Sequence, residues 1–284
     1  MKSNFNTIVK THHIYEFEQF FNYFNEINYG NLNYDALWKW SGILHSFYEL
    51  FGFNPKFNTC IDIGGGLSPI HLILSNFGKV INVDDCSQSG GKFGAWYPTK
   101  KDCVFYEESE GFDYCKENIK YVNSEILSFL KTVPDNSIDL FVDGCSLIHG
   151  NVNAIHSFHD GFLYTSNEIY RTLKQGGYFI SCSDIYNPIL KKSYPSLLRH
   201  DGVTYPDNLY NILVQSKLNP LDDLDYDVED FYKNFQNSLI SVPNAPFYKR
   251  LNPEYSIQKH LPKYHAFSQI QDKPMLIGRF VFKK

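Results

Sequence analysis

The run Cys60-Ile61-Asp62-Ile63-Gly64-Gly65-Gly66-Leu67-Ser68-Pro69-Ile70 decides how this chain is read. A short apolar run ends on three glycines, and an apolar helical pattern opens directly after Pro69. The order is strand, glycine turn, helix. Gly64 and Gly66 permit backbone angles and a close approach that a Cβ would forbid. Pro69 suits the first helical turn, where a missing N–H costs nothing. In an open α/β sheet, a turn of this kind lies beyond the carboxyl end of its strand, where a nucleotide-like ligand rests. The details exclude two such ligands. A dinucleotide fingerprint needs Gly or Ala at position 69 for close helix–strand packing, and a phosphate loop needs Gly-Lys-Ser/Thr. Neither is present. Asp62 instead places a carboxylate inside the strand, which makes sense if the ligand carries an ammonium group. Further on, Val83-Asp84-Asp85 ends a second strand with acid, positioned to accept hydrogen bonds from two ribose hydroxyls.

Outward from the turn, the hydrophobic period divides the chain. Thr59–Ile63, Val80–Val83, Lys120–Val122, Ile138–Val142 and Tyr178–Ser181 read as strands. Pro69–Phe77 and Leu163–Leu173 read as helices, the second stopping at Lys174-Gln175-Gly176-Gly177. Strands alternating with helices call for a mostly parallel, doubly wound sheet covered on both faces. Before it, Ile14, Phe17, Phe20, Phe21, Phe24 and Ile27, then Leu37, Trp40, Ile43, Leu44, Phe47 and Leu50, predict two amphipathic helices. After it, residues 188–262 lose the rhythm, with many prolines and the acidic run Asp222–Asp227. Pro274–Phe282 reads as a last strand. The expected organisation is a helical extension or lid (1–55), a ligand-binding core (56–187), an acceptor-recognition insertion (188–262) and C-terminal strands completing the sheet (263–284).

Composition narrows the classes further. The 284 residues hold 24 Phe, 21 Tyr and 3 Trp, and the flanks carry most of these rings. A hydrophobic fraction of 43% supports a sizeable core, and the formal charge of −5 disfavours a partner held by phosphate charge. Six scattered cysteines, with no C-x-x-C pair, read as reduced thiols. No membrane-length apolar run is visible. The expectation is a soluble, cytoplasmic protein without membrane or nucleic-acid partners, with a homodimer left open.

The motifs together resemble those of the class I S-adenosylmethionine-dependent methyltransferases. Asp62-Ile63-Gly64-Gly65-Gly66 is similar to that family's first motif, and Ile81-Asn82-Val83-Asp84 to its second. Val133–Val142 is similar to the approach to the fourth strand, Gly144-Cys145-Ser146-Leu147-Ile148-His149 to the loop after it, and Arg171–Ile180 to the entrance of the fifth. The resemblance spans roughly residues 57–184. It implies a Rossmann-like, seven-stranded, mostly parallel sheet that binds S-adenosylmethionine. The implied cofactor contacts are Asp62, Gly64, Gly65, Gly66, Asp84, Asp85, Asp143, Gly144 and Cys145. Ser124 falls where the family often has an acid reading the adenine, and Glu125 stands one position later, so either could serve. Gly90–Pro98 reads as a loop over the site or as a surface insertion.

Direct methyl displacement needs alignment, a dry pocket and, for an alcohol acceptor, a base. His149 and Asp184 are the candidates. No Asn-Pro-Pro-Tyr-like run follows the fourth strand, where Asp143-Gly144-Cys145-Ser146 stands instead, which favours oxygen over planar nitrogen. His156, His159 and Asp160 could share a helix face and hold a divalent metal, but no metal is assigned. Arg199, His200 and Arg250 would suit an acceptor phosphate or carboxylate. The expected activity is O-methylation of a small polar metabolite: a sugar, a nucleotide-linked sugar, or a phosphorylated precursor of a surface polysaccharide or secondary metabolite. The alternatives are RNA or protein methylation, or a cofactor-binding scaffold without catalysis.

Overall fold

The computed structural model describes residues 5–8, 20, 34–65, 68–85, 114–147, 158–186, 188, 191, 204–225, 267–270 and 273–284. In chain order the elements are β1 (Thr7–Ile8), α1 (Tyr34–Phe51), β2 (Thr59–Ile63), α2 (Ile70–Leu74), β3 (Lys79–Asp84), β4 (Ile119–Asn123), α3 (Ile126–Leu130), β5 (Ile138–Asp143), α4 (Phe158–Thr172), β6 (Leu173–Tyr186), α5 (Pro206–Gln215), β7 (Asn219–Pro220), β8 (Phe267–Ile270) and β9 (Lys273–Lys283).

The sheet runs β1-β9-β6-β5-β2-β3-β4 along seven strands, with β7 and β8 added against β9. Strands β2 to β6 pair in parallel, and β9 is antiparallel to β6 from Tyr178↔Lys283 to Tyr186↔Met275. This is the expected Rossmann-like architecture, recognisable from strand order alone. The chain moves from β2 to β3 on one side and returns to β5 on the other. The resulting switch point lies beyond the carboxyl ends of β2 and β5, where open sheets of this kind form a crevice.

Alternation along each strand divides the core in two. Ile61, Ile63, Phe141 and Phe179 pack with residues of α3, α4 and α5. Cys60, Leu140, Val142, Ile180 and Val281 pack with α1 and α2. Helix α1 forms because Trp40, Ile43, Leu44 and Phe47 recur at helical spacing and are all buried. It ends at Gly52, whose φ of +74° is natural for glycine and whose N–H bonds to Tyr48 O at 2.8 Å. Residues 34–51 of the expected extension therefore lie flat on the sheet, with α1 contacting β6 and β9. Phe20 is buried and stacks on Tyr48, with ring centroids 5.6 Å apart. The rest of the 14–27 pattern lies outside the described residues.

Part of the 188–262 segment belongs to the core. Tyr205, Leu209, Ile212, Leu213 and Leu218 are core residues, and Asn219–Pro220 pair with β9 as β7. Segment 204–225 thus helps to complete the sheet, because the spacing of its apolar residues supplies a buried helix face. The remainder of 188–262, apart from Pro188 and Lys191, lies outside the described residues. Helix α2 is shorter than the predicted Pro69–Phe77. Strand β6 starts at Leu173, before Gly176-Gly177, with a register irregularity between Ile138 and Leu140 opposite it.

The outer edge of β9 is met by three short strands, two from distant parts of the chain and β8 from the segment just before it. They pair at Asn219↔Lys283, Thr7↔Arg279 and Phe267↔Leu276. Among the described residues, no helix is long and apolar enough to cross a membrane.

Candidate functional site

The glycine turn sits beyond the carboxyl end of β2, in the crevice. Gly64 has φ +57°, donates its N–H to Val83 O at 2.6 Å, and lies against the loop after β5. A Cβ on Gly64 would overlap Ser146 Cβ and Oγ. The Ser146 hydroxyl in turn donates to Gly64 O at 2.9 Å, so the first and second loops of the crevice are locked together. Ser146 was not singled out in the sequence reading. Gly66 lies outside the described residues.

Asp62 lies below the turn, buried to 2% exposure, and burial raises its pKa above the ordinary carboxylate range despite the opposing pull of His71. Its Oδ2 has no hydrogen-bond partner, and neither has Oδ1 of buried Asn82. Such orphaned acceptors are costly unless a donor arrives. Together with the close-packed glycine turn above them, they fit a ligand bearing an ammonium group. Asp84 is half-buried at the carboxyl end of β3, and Asp85, directly after it, is exposed. Asn82 and His71 escaped the sequence reading. The available signal was a polar residue inside each of two otherwise apolar buried runs, Val80–Val83 and Ile70–Leu74.

The adenine-side candidates also build the local backbone. Glu125 is the N-cap of α3: its two oxygens accept from Leu127 N–H at 2.9 Å and Ser128 N–H at 2.8 Å. A carboxylate is a favoured helix start for this reason. Ser124 donates its N–H to Asp84 O at 3.0 Å and its hydroxyl to Glu125 O at 3.0 Å. Both residues therefore shape the β4–α3 turn.

Asp143 is likewise a loop organiser. Its Oδ1 accepts the N–H groups of Ser146 and Leu147 at 2.8 and 2.9 Å, and its Oδ2 accepts the Ser181 hydroxyl at 2.7 Å. Burial still pushes its pKa up to about 6 against these bonds. A folded value above the unfolded one means the native state binds the extra proton, so this group's contribution falls as pH rises from about 4 to about 6. At pH 8 its ionisation costs the fold on the order of 3 kcal/mol. Asp143→Asn keeps every bond, because the Ser181 hydroxyl can turn to Ser183 Oγ, 2.9 Å away. The variant is expected to melt higher than wild type at pH 8 and equally at pH 4. A higher melt at both would remove the charge-burial explanation.

Gly144 faces Trp40 of α1, and Cys145 adopts φ +85°, uncommon for a residue with a side chain. Cys145 is buried, and burial and then Asp184 push its thiol well above its usual pKa, so it stays protonated. The thiol donates to Asp184 Oδ2 at 3.3 Å and accepts the Asp184 N–H at 3.2 Å. Asp184 also receives Lys39 Nζ of α1, 3.2 Å from each oxygen, with both residues buried. The expected base is thus held in an ion pair by a lysine the sequence reading did not notice.

His149 lies outside the described residues, as do His156, Arg199, His200, Arg250 and the 90–98 loop. His159 and Asp160 sit beside each other on the exposed start of α4, Nδ1 3.5 Å from Oδ1.

No protein-family model matches the chain, and no curated protein is detectably similar in sequence. Solved structures with a related architecture include the YcgJ protein from Bacillus subtilis, at 14% identity and TM-score 0.44, covering 85% of this chain and 97% of that one. An S-adenosylmethionine-dependent methyltransferase from Archaeoglobus fulgidus matches at 15% identity and TM-score 0.42, covering 84% and 90%. An arsenic(III) S-adenosylmethionine methyltransferase from Chlamydomonas reinhardtii matches at 14% identity and TM-score 0.42. It covers 81% of this chain, which spans 65% of that protein. Likeness at this level carries no argument about chemistry; the strand order and the residues at the switch point do.

Proposed function

We propose that the chain is an S-adenosylmethionine-dependent methyltransferase acting on an oxygen of a small polar metabolite, of the sugar, nucleotide-sugar or phosphorylated-precursor class. The observation that supports it most is a buried Asp62 oxygen that accepts no hydrogen bond, beneath a glycine turn at the switch point of a doubly wound sheet. An ammonium group satisfies that oxygen. Asp84, at the end of the next strand, accepts the ribose hydroxyls. Gly64 and Gly65 let the turn pack against Ser146 and over the Asp62 and Asn82 side chains.

When bound, S-adenosylmethionine supplies a methyl group on a positively charged sulfur. The chain's residues bind and orient it, with the Ser146–Gly64 hydrogen bond and the Asp143-capped loop fixing the backbone around the turn. Asp184 is tied to Lys39 and to the Cys145 thiol, and we assign the base for an acceptor hydroxyl to His149. His149→Ala is expected to lower turnover while leaving cofactor affinity unchanged; full turnover would dismiss it. The resemblances in the sequence point to this reading, and the net negative charge favours a small acceptor over RNA.

Calorimetric titration with S-adenosylhomocysteine tests the cofactor. Asp84→Ala is expected to weaken binding by about 1.5–3 kcal/mol, the range of a hydrogen bond to a charged group. Unchanged affinity would take Asp84 out of the site, and absence of binding by the wild type would overturn the proposal. Because an ammonium pairs with the ionised form, binding weakens as pH falls through the raised pKa of Asp62.

A further inference from the structure

Asp62 and Asn82 face each other in register on β2 and β3, so their side chains leave the sheet on the same side. Both are buried. Asp62 Oδ2 and Asn82 Oδ1 approach Gly65, lying 2.5 and 2.7 Å from the point its Cβ would occupy, and neither has a donor. Two acceptors therefore converge under one glycine.

One ring sets this arrangement. His71 is fully buried on α2, with Nδ1 3.0 Å from Asn82 Nδ2 and Nε2 3.3 Å from the Tyr121 hydroxyl. The Asn82 amino group donates to Nδ1, which turns Oδ1 toward Gly65. The imidazole proton then lies on Nε2 and is directed at the Tyr121 oxygen. His71 Nδ1 stands 3.6 Å from Asp62 Oδ2, too far for a hydrogen bond.

We infer that Asn82, oriented by His71, is a specificity-determining residue that joins Asp62 in a two-acceptor seat for a primary ammonium group beneath the glycine turn. The inference deepens the proposed cofactor reading and rests on it. A primary ammonium brings three N–H donors and can satisfy both oxygens at once, whereas a hydroxyl supplies one donor and a methylene none. Asn82 thereby makes the site choose for the amine. His71 is a positioning residue, acting through Asn82.

Two ligands read this choice: S-adenosylhomocysteine and its desamino analogue, in which hydrogen replaces the α-amino group. The wild type is expected to prefer the amine by about 10-fold or more. Asn82→Leu removes the second acceptor, and the preference is expected to shrink about 10-fold while affinity for the analogue stays constant. His71→Phe keeps the ring and loses the acceptor, with the same expected shrinkage. His71→Asn, which can place an oxygen near the former Nδ1, is expected to restore the preference. If Asn82→Leu does not fold, Asn82→Ser, too short to reach Gly65, gives the same reading. Equal losses for both ligands, or an unchanged preference in these variants, would overturn the inference and leave the cofactor reading standing. Binding of neither ligand by the wild type would overturn both.

Discussion

Lys39→Met is expected to destabilise the protein by about 3–5 kcal/mol, the usual result of removing one partner from a buried ion pair. Asp184 would be left 2% exposed, with its lysine gone and the Cys145 thiol a weak donor. In a domain of this size the loss corresponds to a fall in Tm of about 10 °C. The double variant Lys39→Met/Asp184→Leu separates pairing from packing. Replacing both charges with apolar groups removes the desolvation cost along with the attraction, so most of the loss should return. Thermal melts of wild type and the three variants complete a double-mutant cycle. Additive losses would mean that the two residues act independently. The pair also ties α1 to the carboxyl end of β6, so the single variant should loosen the loop at Cys145 as well.

The second large effect is at Gly64, where two separate penalties meet. A φ of +57° is left-handed, costing an ordinary residue about 1–2 kcal/mol. An added methyl group would also overlap Ser146, and overpacking of this kind costs about 1–3 kcal/mol. Gly64→Ala is therefore expected to lose about 2–5 kcal/mol in total and to abolish S-adenosylhomocysteine binding in the proposed site. Gly64→Ala/Ser146→Gly relieves the overlap but keeps the strained backbone, so roughly half the stability should return. Full recovery would show that the backbone angle carries no cost. No recovery would show that the contact with Ser146 carries none.

Local signals made the fold legible. Thr59–Ile63 could be read to the residue because its apolar run ends abruptly in glycine, and the start of the strand at Ile138 because a proline-containing turn precedes it. β1 and β7 could not be read, since a two-residue strand has no period of its own and depends on partners distant in the chain. The site divides in the same way. Asp62 and Gly64 were visible because acid and glycine are unusual where they stand. The capping role of Glu125 was not legible, because a helix-capping carboxylate and a ligand-binding one look alike in sequence. Asn82, His71 and Lys39 act through register, helix phase and long-range packing, which one sequence does not display.

The three short strands along β9 also bear on how the chain reaches its final state. β9 lies between β6 and residues as far away as Thr7, so the edge closes only when segments from across the chain meet. Contacts so distant in sequence are reached slowly, because loop closure must come before they offer any gain. During that interval β9 presents an open row of backbone donors and acceptors, able to pair with another chain. Crowding and slow refolding should therefore promote aggregation through this edge before the crevice is affected.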